Sequence, residues 1–177
     1  MLRVTIYWQQ GRETLGDLTT YYLEMTSAEA LLEKPDAGGL VVTECEIPQF
    51  QLNRFLYQLV GQPWNWLDKL SWSDQQWHDY VDDDRLHTWI AYFRGAIAGY
   101  YELQQQSGGD VEIAYFGLAE QFIGRGFGGY LLSHAIRSAW AMGGARRVWV
   151  HTCSLDHPGA LGNYQARGMS LYRTETD

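Results

Sequence analysis

Cysteine is nearly absent from this sequence. Cys45 and Cys153 are the only two among 177 residues, and they lie far apart, with no CxxC spacing and no run of histidines beside them. The pattern indicates neither a disulfide framework nor a cysteine zinc site, so we expect reduced thiols and a cytoplasmic protein.

The acidic run 82–84 lacks the spaced glycine and second acidic cluster of a metal loop. We interpret it as a solvated turn and expect no bound metal.

Long apolar runs and an excess of positive charge are also missing. No stretch approaches the roughly 20 apolar residues of a membrane span, and Met1–Trp8 lacks a signal-peptide core, so we expect a soluble protein without a membrane partner. The 21 acidic residues outnumber the 13 basic ones, which gives a formal net charge of −8. Without a basic stripe, nucleic acid is not an expected partner. The negative charge favours a cationic partner such as an amine, or it only keeps the protein in solution.

Aromatic residues, in contrast, are abundant. They make up 15% of the chain, with eight tryptophans and twelve tyrosines, which is more than a core alone usually needs. Four of the tryptophans fall between the first two predicted helices or within the second: Trp64, Trp66, Trp72 and Trp77. We expect these four to combine core packing with the wall of a groove or with a homodimer interface.

Hydrophobic periodicity and turn residues predict one α+β domain over residues 1–177. The predicted strands are Val4–Trp8, Leu18–Met25, Leu40–Ile47, Leu86–Phe93, Ala96–Gln104, Val111–Ala119, Arg147–Cys153 and Met169–Thr174. The predicted helical segments are Thr26–Glu29, Gln49–Gly61, Ser73–Val81, Tyr130–Met142 and Pro158–Arg167. Three consecutive strands form a meander before the fourth helical segment, which argues against a repeated βαβ fold.

A glycine-rich loop joins that meander to the following helix. Residues 123–129 read Ile-Gly-Arg-Gly-Phe-Gly-Gly, and this strand–loop–helix order brings free backbone N–H groups to the positive end of a helix dipole. Such a site suits phosphate oxygens. A dinucleotide fold would place the loop after the first strand, and a nucleoside triphosphate loop would need a Gly-Lys-Ser/Thr ending, which Gly128-Gly129-Tyr130 does not provide. Both alternatives are therefore disfavoured.

Residues 111–173 resemble the GCN5-related N-acetyltransferase superfamily, on two motifs. The family signature Arg/Gln-x-x-Gly-x-Gly/Ala maps onto Ile123–Gly128, with Ile123 where a donor side chain is usual; a second frame, starting at Gln121, is also possible. Downstream, Ala160, Tyr164 and Gly168 fall in register with the family's second segment. The resemblance implies a mostly antiparallel sheet flanked by helices and splayed between the fourth and fifth strands. Compared with that fold, the strand that closes the sheet is expected to be short, absent or supplied by a neighbour.

The resemblance also implies acetyl-CoA as cosubstrate and assigns residues to it. The backbone of Leu118 and Ala119 would pair with the pantetheine arm, and His157 would bind the coenzyme or only cap a helix. The loop residues implied in phosphate binding are Ile123, Gly124, Arg125, Gly126, Phe127, Gly128 and Gly129. Residues 91–177 would form the coenzyme-binding core and residues 1–90 the acceptor side.

For catalysis, Glu112 corresponds to a general base and Tyr164 to a general acid. The alternatives are a solvent-facing glutamate and a tyrosine packed on the core. Strand alternation puts Glu112, Ala114 and Phe116 on one face, and Gly117 is expected to mark a bulge near the N–H that polarises the thioester carbonyl.

The other nearby side chains receive a structural interpretation. His151 and Cys153 are expected to pack in the core, the alternative being a Cys–His acyl carrier.

The sequence thus predicts an N-acetyltransferase that moves an acetyl group to a primary amine in a ternary complex. Two alternatives remain: a non-catalytic acyl-CoA-binding module, and a transferase with another acyl group or a hydroxyl acceptor.

Overall fold

A computed structural model of the chain describes residues 18–176. The predicted strand Val4–Trp8 lies outside them. The strands are β1 (Thr19–Met25), β2 (Val41–Glu44), β3 (Leu86–Phe93), β4 (Ala96–Gln105), β5 (Asp110–Leu118), β6 (Arg147–Cys153) and β7 (Ser170–Thr176). The α-helices are α1 (Phe50–Gly61), α2 (Asp74–Val81), α3 (Phe127–Ala141) and α4 (Ala160–Ala166). The predicted segment Thr26–Glu29 is a short 3-10 helix, Ala28–Ala30.

These strands form one sheet in the order β2-β3-β4-β5-β6-β1-β7. Every pairing is antiparallel except that of β5 with β6, which is parallel. This parallel pair spans only Asp110–Glu112 against Arg147–Trp149, and beyond it the two strands separate. The expected splay is confirmed, because it lies between the strand that leads to the glycine loop and the strand that follows the next helix.

The sheet is completed in a way that the sequence did not indicate. β1 lies between β6 and β7 and pairs antiparallel with both, so the strand beside β6 comes from the N-terminal part of the same chain. Leu23 and Met25 of β1 are buried in the same cluster as Val148 and Val150 of β6. Burial of these alternating apolar side chains fixes the register of β1.

The helices cover the two faces of the sheet. One face packs against α3 and α4, with Leu131, Ile136 and Tyr164 in its core, and we call it the α3 face. The other packs against α1 and α2, with Leu56 and Trp77 in its two clusters, and we call it the α1 face. Helix α2 begins with a capping box, in which the Ser73 hydroxyl accepts from the Gln76 amide at 3.3 Å.

A bulge in β5 changes the predicted alternation of its side chains. Ile113 pairs with Leu103 and Tyr115 with Glu102, so Ala114 is the extra residue. Tyr115 then faces α1, whereas Phe116 packs on the α3 face. The prediction that Glu112 and Phe116 share a face is therefore wrong.

Gly117, where the bulge was predicted, is required for a different reason. A Cβ at this position would lie 2.5 Å from Cγ1 of Val60. The glycine therefore allows close contact between β5 and α1 rather than a change of register.

Two findings concern the predicted absences. Within residues 18–176, no helix has both the length and the apolar character of a membrane span. In the acidic run, Asp82 contacts the His78 ring at 2.8 Å and Asp83 pairs with Arg85 at 2.7 Å. No group of three or more His, Cys, Asp or Glu side chains in the described part of the chain is arranged to hold a metal ion.

Candidate active site

The glycine loop enters α3 through two left-handed residues. Gly124 has φ +79° and Gly126, the N-cap of α3, has φ +81°, a region that residues with a Cβ rarely adopt. No side chain in the described residues caps this helix, so the amides of its first turn remain available to an anion. The Ile123 amide is already used, because it donates to the Glu120 carbonyl at 3.1 Å.

Cationic side chains from distant parts of the chain surround this loop. Lys34 Nζ donates to the Gly126 carbonyl at 2.6 Å. A Cβ on Gly129 would lie 2.5 Å from Arg167 Nη1 and 2.8 Å from Lys34 Cδ. Among the described residues, neither Lys34, Arg125 nor Arg167 has a carboxylate partner. Sequence reasoning missed Lys34 and Arg167 because no local pattern links them to the loop.

The edge of β5 that faces the splay offers free backbone groups. The Ala119 amide donates to the Ala98 carbonyl at 2.9 Å, so this amide points toward β4. Because backbone groups alternate in direction along an antiparallel strand, those of Phe116 and Leu118 point into the splay. Of the two residues predicted to pair with a pantetheine arm, only Leu118 presents its N–H there.

Tyr164 lies on the α3 side of the opening. Its ring is 6.1 Å from that of Phe116, and it is 6% exposed. Its hydroxyl has no hydrogen-bond partner among the described residues, yet it is not sealed from solvent. Burial, with a smaller effect from the Asp156 carboxylate, raises the pKa of Tyr164, so the phenol stays protonated. The preceding residue, Asn163, fixes α4 to the loop through a 3.2 Å bond to the Gly128 carbonyl.

His157 makes a local contact just before α4, but no side-chain cap bond is formed at this helix among the described residues, so His157 is not its cap. Its Nδ1 accepts from the Gly159 amide at 2.9 Å, just before α4 begins. Its ring also meets Trp64 edge-on at 5.1 Å, so this tryptophan lies near the start of α4. Trp77, in contrast, is a core residue, 1% exposed.

Glu112 and His151 lie together where the strands begin to separate, on the α1 face. The Glu112 side chain is 16% exposed, and its Oε2 accepts from Gln106 Nε2 at 2.8 Å. Its Oε1 lies 3.4 Å from His151 Nδ1. The prediction that His151 packs in the core is wrong, since its side chain is 50% exposed.

A polar network that the sequence did not reveal lies farther along the α1 face. Asp68, between α1 and α2, accepts from Tyr57 at 2.5 Å and from Tyr115 at 2.9 Å. The ammonium of Lys69 lies 4.1 Å from the ring centroid of Trp72 and 4.6 Å from that of Tyr80. Burial acts to raise the pKa of Asp68, but the Tyr57 hydrogen bond, Lys69 and the Tyr115 bond outweigh it and lower that pKa.

Glu102 lies beneath this network and is 1% exposed. It accepts from Tyr80 at 2.5 Å and from Asn53 at 2.8 Å. Burial raises the pKa of Glu102 despite these two hydrogen bonds and the charge of Lys69. The α1 face therefore holds two carboxylates whose pKa values are shifted in opposite directions.

Comparison with known proteins identifies the family. The model of the acetyltransferase (GNAT) family matches residues 52–169, about two thirds of the chain. The chain belongs to this family. Its matched part contains β3–β6 with the splay, the glycine loop and α4.

Solved structures with the same fold share little sequence with the chain. A GCN5-related N-acetyltransferase from Kribbella flavida is similar with a TM-score of 0.63 and 15% identity over 90% of the chain. An IAA acetyltransferase from Bacillus cereus has a TM-score of 0.53 and 27% identity, covering 71% of this chain and 73% of its own. An acetyltransferase from Bacillus subtilis in complex with CoA has a TM-score of 0.55 and 24% identity, covering 73% and 75%. No curated protein matches the sequence significantly.

Some of these structures are much longer than the chain. The match covers 58% of the Kribbella flavida protein and 50% of a GCN5-related N-acetyltransferase from Sphaerobacter thermophilus. The chain thus spans between half and three fifths of their length.

Proposed function

We propose that this protein transfers the acetyl group of acetyl-CoA to a primary amine, by direct attack of the amine in a ternary complex. One observation carries the proposal: the open edge of β5, the uncapped start of α3 and the Tyr164 phenol meet at the splay. Asn163 joins two of them through its bond to Gly128, and the Phe116 ring lies 6.1 Å from that of Tyr164.

The coenzyme would lie along the α3 side of the opening. The amides of Phe127, Gly128 and Gly129 would bind the pyrophosphate at the positive end of the α3 dipole. Lys34 and Arg167 would compensate for Ile123, which offers no side-chain donor. The other coenzyme-binding residues of the proposal are Leu118 and Ala119 of the strand end, Ile123, Gly124, Arg125 and Gly126 of the loop, and His157.

The chemistry requires a neutral amine, a stabilised oxyanion and a protonated leaving group. A lysine-type amine has a pKa of about 10.4 and needs a base at neutral pH, a role we assign to Glu112. The free nitrogen attacks the thioester carbonyl, whose developing negative charge is bound by the Phe116 N–H in the splay. The C–S bond then breaks, and the departing thiolate takes a proton from Tyr164.

The proposed groups lie on opposite faces of the sheet. The base Glu112 and the acceptor are on the α1 side, and the acid Tyr164 and the coenzyme are on the α3 side. Residues 1–90 would therefore mainly shape the acceptor side and residues 91–177 the coenzyme-binding core, within one domain.

The test is a titration with acetyl-CoA followed by thiol-release assays on tyramine, spermidine and a lysine peptide. We expect binding by the wild type and turnover of at least one amine. Tyr164→Phe should keep its affinity for acetyl-CoA and lose about 10-fold to 100-fold in kcat, because it removes only the proton donor. Glu112→Gln should lower kcat/KM by about 100-fold or more.

Two results would contradict the proposal. Failure of the wild type to bind acetyl-CoA would reject the coenzyme site itself. The second result is a wild type that binds acetyl-CoA but turns over no amine, with binding unchanged by either substitution. This result would favour the non-catalytic module.

A further inference from the structure

Glu112 is poorly placed to meet an amine directly. Its side chain is 16% exposed, Gln106 occupies one carboxylate oxygen at 2.8 Å, and His151 Nδ1 lies 3.4 Å from the other. An acceptor bound in the splay would therefore find a polar neighbour already beside each oxygen of this carboxylate. The His151 side chain, 50% exposed, is the more exposed member of the pair.

We propose that His151 takes the proton from the amine and that Glu112 acts through it. The inference rests on the proposed function and deepens it, since it names the group that touches the acceptor. With Nδ1 turned toward a carboxylate, the tautomer protonated on Nδ1 is favoured, and the lone pair is then on the exposed Nε2. Glu112 becomes a positioning residue that orients the ring and stabilises the imidazolium.

The strand pairing puts His151 at the right level of the opening. Glu112 and Trp149 form the last pair of β5 with β6, and His151 follows Trp149 by two residues. It therefore lies about 7 Å into the splay, at about 3.3 Å per residue. Because Val150 and Thr152 on either side of it are buried, His151 points to the α1 side, opposite Tyr164.

The immediate surroundings leave the ring available. Tyr22 of β1 lies 6.0 Å away, as does Trp149 on the same strand, both measured between ring centroids. The Tyr22 hydroxyl is already bound to Glu175 of β7 at 2.8 Å. Glu112 is thus the carboxylate that contacts His151 among the described residues.

Each proton moved in this step has a defined donor and acceptor. The acceptor ammonium gives one proton to His151 Nε2, and the imidazolium later releases it to water. The neutral amine forms the C–N bond, and the C–S bond breaks with its electron pair on sulfur. Tyr164 protonates this thiolate and regains a proton from the nitrogen of the new amide. The sum is an acetylated amine, CoA as a free thiol and one proton.

A first experiment reads the tautomer without any acceptor. Long-range ¹H–¹⁵N spectra of the five imidazoles, assigned by the loss of one signal set in His151→Gln, report which nitrogen carries the proton. We expect His151 to be Nδ1-protonated in the wild type and to shift toward the Nε2 tautomer in Glu112→Gln. A neutral ring protonated on Nε2 in both proteins would overturn the inference.

A second experiment measures catalysis on the fastest amine of the thiol-release panel. His151→Gln should lower kcat/KM by about 100-fold or more while leaving acetyl-CoA affinity within twofold. Imidazole added to His151→Gly should restore part of the rate. The matched control is His78→Gln, which breaks another exposed His–carboxylate contact, 2.8 Å to Asp82, at the end of α2.

The outcomes separate this inference from the proposed function. Full activity of His151→Gln beside a slowed Tyr164→Phe would reject the histidine and keep the acetyltransferase. Loss of acetyl-CoA binding in the wild type would reject the proposed function itself. Without turnover of any amine, the proposed function fails and the proton transfer to His151 is rejected with it, whichever tautomer is found.

Discussion

The two sides of the splay are built from different material. On the α3 side, the candidate site consists mainly of backbone from one continuous stretch, residues 118–129, closed by α4. On the α1 side it consists of side chains from separate elements: Tyr57 and Tyr115 donate to Asp68, and Tyr80 donates to Glu102. A site built from contiguous backbone can be recognised as a motif in the sequence, whereas a site assembled by packing of distant side chains cannot. We therefore expect changes in the glycine loop to affect ligand affinity and changes around Asp68 and Glu102 to affect stability.

The largest expected effect is that of Gly126→Asp. At φ +81° the new side chain would be strained, and its Cβ would lie 3.4 Å from Lys34 Nζ, so its carboxylate would take the place of a phosphate. We expect at least about a 100-fold loss of acetyl-CoA affinity, close to 2.7 kcal/mol, by calorimetric titration.

Gly143→Asp is the matched control, because nothing lies within 4 Å of a Cβ there. Wild-type affinity in Gly126→Asp would refute the loop assignment.

Asp68→Asn tests the other side. The substitution leaves the buried Tyr57 phenol without a charged acceptor, so the free energy of unfolding should fall by about 1–2 kcal/mol, measured with urea. The smaller figure is favoured because the Asp68 side chain is 42% exposed and water screens its charge. Acetyl-CoA affinity should stay within twofold, and Asp79→Asn on the exposed surface of α2 is the control.

The same variant has a defined pH dependence. Because the pKa of Asp68 is lowered in the folded state, its stabilisation is present above the ordinary value of about 3.9 and is lost as the pH falls through the folded-state value. The stability difference between wild type and Asp68→Asn should therefore shrink on acidification. A difference that is constant with pH would contradict this origin.

Lys34→Met should weaken acetyl-CoA binding by about fivefold to tenfold, close to 1 kcal/mol, because it removes a cation beside the loop. The affinity should also depend less on salt than in the wild type. Arg85→Met removes a cation from an exposed site beside Asp83 and is the control. Unchanged affinity at low salt would exclude Lys34 from the phosphate site.

Glu102→Gln is expected to have the smallest effect, visible as a pH trend. Burial raises the pKa of Glu102, so its stabilising contribution is complete below the ordinary value of about 4.3 and is lost as the pH rises. The glutamine variant should therefore gain stability relative to the wild type as the pH rises above this ordinary value. Glu46→Gln removes the same charge from an exposed position. A loss relative to the wild type over this range would mean that the buried carboxylate is net stabilising.

Local patterns in the sequence predicted much of this structure. Turn residues and alternation gave the strand Arg147–Cys153 with both ends correct, and Ser73 marked the start of α2. Such signals act within a few residues, so they can be recognised without knowledge of the fold. The bulge at Ala114 was missed, because the extra residue is defined by pairing with β4.

The sequence by itself determined the glycine loop, the position of Tyr164 and the family, because each depends on residues close together in the chain. Only the tertiary structure decided what surrounds them. It brought Lys34 to a loop 92 positions away, inserted β1 between β6 and β7, and put His151 beside Glu112. These contacts depend on long-range strand pairing and on helices packing across the sheet. No local pattern specifies which distant residues will meet.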